Sequence, residues 1–162
     1  SALNDERRAI EAEVQEAAEA QLAAQHNRSV MLVSGAGWHP GVIGIVAGRI
    51  KEKTGKPALV IAVGGAVGKG SGRSIAGVDL GAAIIAARQE GLLVAGGGHA
   101  MAAGLTVSAS GIDALHDWLE ARLAGDVARA FASQEMAIDL GLAPGGLTAE
   151  LVASLDGAGP YG

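Results

Sequence analysis

Three glycine-rich segments of the sequence contain side chains that can bind an anion. They are GWHPGVIGIVAGRI at residues 37–50, GKGSGRS at residues 68–74 and VAGGGHAMAAG at residues 94–104. Each combines bare backbone with a hydrogen-bond donor, and none contains carboxylates that would hold a metal ion. The sequence has no cysteine and no serine in a nucleophile elbow. These features indicate phosphate binding without the groups that cleave a phosphate ester.

The segment at residues 68–74 has donors at alternate positions. Alternate side chains of an extended chain share one face, so Lys69, Ser71 and Arg73 are predicted to point the same way. A guanidinium grips a phosphate through two parallel hydrogen bonds, and the hydroxyls of Ser71 and Ser74 are further donors. The spacing is not that of a P-loop. A solvated hairpin strand is the alternative interpretation of this segment.

The triple glycine Gly96, Gly97 and Gly98 directly precedes His99. Glycines in left-handed or mixed conformations turn successive N–H groups to one side, which makes a nest for an anion. His99 at its edge donates a hydrogen bond to a phosphate in either charge state. We therefore predict a bend on which a sugar-phosphate chain lies. A tight loop with His99 capping a carbonyl is the alternative.

Trp38 and His39 lie between a predicted strand and a predicted helix. In open α/β sheets this loop is at the carboxyl ends of the strands, where ligands bind. Gly44 and Gly48 share one face of the helix and allow a neighbour to approach closely. We expect Trp38 and His39 to shape a binding cleft, with a core tryptophan and a turn histidine as the alternative.

The charge is distributed unevenly along the chain. The formal net charge is −5, but residues 29–110 contain seven Lys/Arg and three Asp/Glu, a net of +4, between two acidic ends. A basic centre favours an anionic ligand. No stretch is long and apolar enough to cross a membrane and no signal peptide is visible, so we expect a cytoplasmic protein.

The elements that must position these residues alternate between strand and helix. The hydrophobic spacing predicts helices over residues 4–25, 40–55, 77–91 and 112–125, and strands over 29–35, 57–63, 102–108 and from about 134. Asn4 and Asp79 are predicted N-caps, Pro40 a first helical residue, and Gly55 and Gly91 helix stops. This order predicts an α/β fold, a small mixed β-sheet flanked by helices, with a long linker helix before it and the truncated start of a second domain after it.

The three segments, in this order and at this spacing, resemble the RecJ family of bacterial exonucleases, which degrade single-stranded DNA from its 5′ end. The resemblance is to the DHH-associated domain, the second half of the catalytic core of that family. LNDERRAIE at residues 3–11 resembles its linker helix, and LDGAGPYG at residues 155–162 resembles the start of its oligonucleotide-binding barrel. The resemblance thus implies a linker helix at 1–28, a DHH-associated domain at 29–125 and a truncated start of the barrel at 126–162.

The family resemblance also implies roles for these residues and a departure from the complete enzyme. RecJ-like enzymes cut with Mn²⁺ or Mg²⁺ held by a DHH domain, whose Asp-His-His triplet this sequence lacks. We therefore expect no metal in this chain, no activity of the chain alone, and single-stranded DNA and the missing domains as its partners. By resemblance, Arg73 grips a phosphate near the scissile one, and Gly96, Gly97, Gly98 and His99 line the substrate side of the cleft. The implied setting is DNA repair and recombination.

Two other functions remain open from the residues. One is a fragment of a DHH-type phosphoesterase that acts on small nucleotides, and the other is a stand-alone module that binds nucleotides or single-stranded nucleic acid. The Trp-His-Pro-Gly segment favours the RecJ-like enzyme over the first. The tail, which has too little apolar material for its own core, favours a fragment over the second.

Overall fold

A five-stranded mixed sheet carries the fold. A computed structural model of the protein describes residues 2–141, and the residues up to Val127 form one compact unit. The strands are β1 Met31–Ala36, β2 Ala58–Gly64, β3 Val67–Arg73, β4 Ala95–His99 and β5 Ala102–Ser108, and the helices are α1 Ala2–Leu22, α2 Ile43–Thr54, α3 Leu80–Gln89 and α4 Ile112–Gly141. The sheet order is β1-β2-β3-β5-β4, with β1 and β2 parallel and every other neighbouring pair antiparallel. The predicted mixed α/β class with a long first helix is confirmed.

One face of the sheet is packed against α1 and α2. Apolar side chains of β1 and β2 form a core there with both helices, in a cluster that includes Val14, Ala18, Met31, Val33, Val42, Ile43, Val46, Ala47, Ile50, Ala58, Val60 and Ala62. Ion pairs from Arg49 to Glu11 and from Lys53 to Glu19 join α2 to α1 at the rim of this core. Helix α2 also contacts β3, so it stands along that strand on this face.

The opposite face of β3 packs so closely that it has no room for side chains. A Cβ at Gly72 would lie 2.7 Å from Leu80 Cδ2 of α3, and one at Gly70 would lie 3.0 Å from Leu105 Cγ. A Cβ at 2.7 Å is closer than real Cβ atoms come to a neighbour, and one at 3.0 Å is tighter than nine in ten of their contacts, so a side chain at either position would force Leu80 or Leu105 to shift.

Helix α4 fixes the backbone where β1 begins. Both carboxylate oxygens of Glu120 accept from the N–H of Ser29 at 2.9 Å, and one of them also accepts from Val30 N–H at 3.0 Å. His116, which is buried, donates from Nε2 to Val30 O at 2.7 Å. Burial lowers the pKa of His116 below its usual value, so the neutral ring is favoured. These contacts satisfy backbone groups that no strand pairs.

Most of the predicted helix ends are confirmed. Asp79 caps α3, accepting from Ala82 N–H at 3.0 Å, and Gly55 ends α2 in a left-handed conformation with its N–H on Lys51 O. Gly91, also left-handed, follows the end of α3. Pro40 does not begin a helix, because α2 starts at Ile43 after a turn.

Three local predictions are wrong. Asn4 is not a cap, because α1 is already helical from Ala2. Helix α4 does not stop at Gly125 but continues to Gly141, so the strand predicted from residue 134 is helical as far as the structure describes it. The rest of that predicted strand, and the barrel-like segment at 155–162, lie outside the described residues. Between residues 2 and 141, no helix combines the length and apolarity that crossing a membrane requires.

The triple glycine is a strand and not a bend. Gly96 and Gly97 lie in β4, paired with β5, and of the three glycines only Gly98 has a positive φ, at 150°. Pairing with β5 holds these residues in an extended strand, whereas a nest needs successive N–H groups that turn to one side. Bare backbone is therefore presented by a sheet surface.

Candidate functional site

The candidate site lies on the face of the sheet that carries α2, over β3, β5 and β4. Strand β3 alternates as predicted: its glycines face the opposite core, while Lys69, Ser71 and Arg73 point to the α2 side. Ala58 and Val60, which belong to the α1–α2 core, pair directly with Arg73 and Ser71. Directly paired residues of antiparallel strands share a face, and this register fixes the direction of the polar side chains.

The same register aligns three rows of side chains across this face. Residues paired from strand to strand form the rows Arg73–Ala102–His99, Ser71–Gly104–Gly97 and Lys69–Thr106–Ala95. We call this surface the open face. Arg73 and His99 thus share one row with a single alanine between them, and the central row is bare on two adjoining strands.

Gly97 and Gly104 are glycines that the fold itself does not require. A Cβ at Gly97 would meet nothing within 4 Å, and one at Gly104 would meet only Gly70 O, at 3.9 Å. Neither has a positive φ. Glycine within a strand lowers stability and often marks a place where a ligand or another backbone approaches closely. The bare central row therefore provides space for something outside these residues.

The cations of the open face lack acidic partners. Within residues 2–141, Lys69 and Arg73 form no ion pair, whereas Arg28, Arg49, Lys51 and Lys53 each contact a carboxylate. Arg73 Nη1 donates only to Gly72 O, at 2.8 Å. The hydroxyls of Ser71 and Thr106 donate to no other group in this part of the chain. The open face thus presents positive charge and unused donors to a ligand.

A glycine of helix α2, Gly44, leaves space for the guanidinium of Arg73. A Cβ at Gly44 would lie 2.9 Å from Arg73 Nη2 and 3.7 Å from Ser71 Oγ. The predicted close approach at Gly44 is confirmed, and the neighbour is this polar pair; Gly48 faces open space. A shallow cavity of about 640 Å³ runs along the helix to Arg73, lined by Ile45, Gly48, Arg49, Lys51, Glu52, Lys53 and Arg73.

Ser74 does not belong to the open face. Its side chain is fully buried, and its hydroxyl donates to Val78 O at 2.6 Å. Its N–H donates to Met101 O at 2.9 Å. The structure does not support the predicted phosphate contact from Ser74, because its hydroxyl serves the turn before α3 and its N–H serves the turn between β4 and β5.

Trp38 and His39 lie at the other end of the sheet from Arg73. The loop follows Ala36, which aligns with Val63, while Arg73 pairs with Ala58 at the start of β2. The indole of Trp38 packs on the backbone of Gly35 and against the α1–α2 core, the core role given as its alternative. His39 accepts Gly41 N–H on Nδ1 at 2.9 Å, so its proton is on Nε2.

The donors of the open face do not suit Mn²⁺ or Mg²⁺, which prefer carboxylate and other oxygen ligands. The side chains present are Lys69, Ser71, Arg73, His99 and Thr106, and two of these are cations. No group of three or more acidic, histidine or cysteine residues suited to a metal occurs in the described part of the chain. The open face can hold an anion, and we derive no metal-dependent step from it.

The contribution of β5 was not predicted from the sequence. Ala102, Gly104 and Thr106 alternate with the buried Ala103, Leu105 and Val107, so a period of two was present. That period predicted a strand but not which face stays open, because the open face depends on where α2 and α3 pack.

The comparisons with known proteins identify relatives of this chain. Residues 14–125 match the DHHA1 domain family. The chain is 43% identical over 114 residues to the single-stranded-DNA-specific exonuclease RecJ of Dickeya dadantii, covering 65% of this chain and 20% of that protein. The RecJ proteins of Escherichia coli and Bacillus subtilis are 35% and 31% identical, over 77% and 84% of this chain and 22% and 17% of their own lengths. The chain thus spans about a fifth of the length of these relatives.

Solved structures agree with these relatives. A crystal structure of exonuclease RecJ bound to manganese matches with a TM-score of 0.64 at 33% identity, over 78% of this chain and 31% of that one. RecJ of Thermus thermophilus in complex with Mg²⁺ matches with a TM-score of 0.53 at 34% identity, over 70% of this chain and 18% of that one. The resemblance drawn from the three glycine-rich segments is confirmed.

Proposed function

Because the chain belongs to the DHHA1 domain family and its relatives are RecJ exonucleases, we propose that it is the part of a RecJ-like 5′-to-3′ exonuclease that holds single-stranded DNA. The open face binds the phosphate backbone of the strand and positions it for hydrolysis at a metal site in another domain. The proposal extends to the protein as a whole: a metal-binding DHH domain and an oligonucleotide-binding barrel are its partner domains, and the cytoplasm is its compartment.

The proposal rests on one observation: two adjoining rows of the open face bring phosphate-binding side chains next to glycine backbone. Arg73 and His99 share one row, and the next row is the polar Ser71 beside the bare Gly104 and Gly97. A sugar-phosphate chain needs donors for its oxygens and close access to the backbone, and these rows offer both. Aromatic residues are 2% of the sequence, so the grip falls on phosphates and base stacking is minor.

The chemical contribution of this chain is binding and orientation. Arg73 offers a planar fork of donors that matches two phosphate oxygens, and Ser71 beside it adds a hydroxyl. His99 donates from the other side of the row. Holding the phosphate in a fixed place and neutralising its charge are large contributions to phosphoryl-transfer rates. The chain itself is expected not to cleave DNA when Mn²⁺ is added, and digestion by the purified chain would contradict this.

The test is the affinity of the chain for a fluorescent oligodeoxythymidylate of eight nucleotides at several salt concentrations. Arg73→Ala is expected to lower the affinity about 10-fold to 100-fold, as removing a charged hydrogen-bond partner does. Arg73→Lys keeps the charge without the fork and should recover only part of that loss. Equal binding by the wild type and Arg73→Ala, with both folded by circular dichroism, would remove the open face from DNA binding.

A further inference from the structure

We propose that the bound strand lies lengthwise along β5, from the Arg73–His99 row to the Lys69–Thr106 row, and that Lys69 and Thr106 form a second anchor for its phosphates. This inference rests on the proposed function and adds to it a direction, a minimum length and a binding residue, Thr106. It predicts a ligand of at least three consecutive nucleotides, as opposed to a single nucleotide or dinucleotide.

The β3 side and the β4 side of the open face differ in a way that suits a DNA strand lying along β5. The β3 side carries a polar side chain in every row, namely Lys69, Ser71 and Arg73. The β4 side has only a methyl group at Ala95 and no side chain at Gly97. A strand with its phosphates turned towards β3 would find a donor in every row, and its sugars would lie over the bare side.

The spacing of the rows suits consecutive phosphates. Successive rows are two residues apart, which is about 7 Å along a strand. An extended single strand repeats its phosphates at a similar interval. Arg73 and Lys69 therefore stand two phosphate intervals apart, with Ser71 between them, and the central nucleotide lies over Gly104.

A path across the strands is blocked on one side. Helix α2 stands along β3 on this face, and its Gly44 comes within contact distance of the Arg73 guanidinium. A DNA strand that crossed from β4 to β3 would lie over a single row and would then meet this helix. A chain that follows β5 runs beside the helix and passes all three rows.

The charges mark both ends of the lengthwise path. Lys69 and Arg73, at opposite ends of the polar β3 side, form no ion pair within residues 2–141. The three rows between and around them contain no carboxylate. Thr106 is directly paired with Lys69 and its side chain is on the same face. Two unpaired cations with hydroxyls beside them form a pair of phosphate contacts in line with β5.

The test compares two ligand lengths. Affinities of oligodeoxythymidylates of two and eight nucleotides are measured for the wild type, Lys69→Gln, Thr106→Val and Arg73→Ala. Arg8→Gln, which removes one exposed positive charge from α1, is the control. We expect Lys69→Gln to lower octamer affinity about threefold to tenfold and to reduce the salt slope by about 1, while leaving dimer affinity unchanged. Thr106→Val should act in the same direction by a smaller factor, and Arg73→Ala should weaken both ligands.

The outcomes separate this inference from the function on which it rests. If Arg73→Ala weakens the octamer but Lys69→Gln and Thr106→Val do not, the strand does not reach the Lys69–Thr106 row and the inference fails alone. Equal losses for dimer and octamer in Lys69→Gln would also overturn it, because Lys69 would then act on the same nucleotides as Arg73. If the wild type binds no octamer, or binds the dimer as tightly, the proposed function fails as well.

Discussion

Both faces of the β3–β5–β4 sheet contain glycines, for opposite physical reasons. On the packed face, a Cβ at Gly70, Gly72 or Gly96 would lie between 2.7 and 3.0 Å from Leu105, Leu80 or Ile84, and these core side chains would have to shift. On the open face, Gly97 and Gly104 have room for a side chain and none is there. A glycine that its own fold does not explain is the more informative one for function.

The comparison also separates two kinds of stability cost. Packed-face glycines allow close contact between α3 and the sheet, so their loss of chain freedom is offset by buried apolar surface. Open-face glycines lower stability by about 0.5–1 kcal/mol each relative to alanine with no packing in return. An external ligand is the reason we assign to them.

The largest expected effect comes from adding a side chain at Gly98, which lies on the packed face next to the open-face residue Gly97. Gly98→Ala should lower the free energy of unfolding by about 3 kcal/mol, since the residue has a φ of 150° and its Cβ would lie 2.6 Å from Ala103 Cα. Gly97→Ala, one residue away, is the matched control and should stabilise the chain slightly. Urea unfolding of both variants measures this, and equal stability would show that the two glycines do not differ as described.

A smaller effect separates two serines that the sequence placed together. Ser74→Ala should lower the free energy of unfolding by about 1–2 kcal/mol, because it leaves the buried Val78 carbonyl without its donor. DNA affinity should be unchanged. Ser71→Ala should show the converse, weaker binding of the octamer at unchanged stability. A loss of affinity in Ser74→Ala at full stability would return Ser74 to the binding surface.

The smallest effect concerns pH and a buried histidine, His116, that is not part of the open face. The lowered pKa of His116 means that the folded chain binds this proton more weakly than the unfolded chain does. Its contribution to stability is therefore present above the ordinary histidine pKa and is lost as the pH falls below it. Between pH 7 and pH 5, His116→Gln should lose less unfolding free energy than the wild type. An unchanged slope would contradict the role of burial.

The sequence predicted the elements whose signals are local. Asp79 and Gly55 ended helices where expected, and the alternation of Lys69, Ser71 and Arg73 was visible in the pattern and is confirmed. Strand β4 was not predictable in this way, because three glycines have little intrinsic preference for a strand. Pairing with β5 determines their conformation, and that contact is between segments.

The sequence predicted the types of residue that form the candidate site, but not every residue that belongs to it. Ser74 carries the right group, yet it is buried beside the turn before α3, and Thr106 lies in an ordinary strand pattern that does not distinguish it. Gly125 looked like a helix stop, but α4 continues through it to Gly141. Which surface remains open is decided by helix packing, which no single segment encodes.

The measurement that tests the central claim most directly is made on Gly104→Val. Both its unfolding free energy and its affinity for the octamer are determined. A ligand that lies over the bare central row predicts stability at or above that of the wild type, together with a loss of affinity of about tenfold, or about 1.4 kcal/mol. Wild-type affinity in a folded Gly104→Val protein would show that the strand does not lie over this row, and would contradict the account.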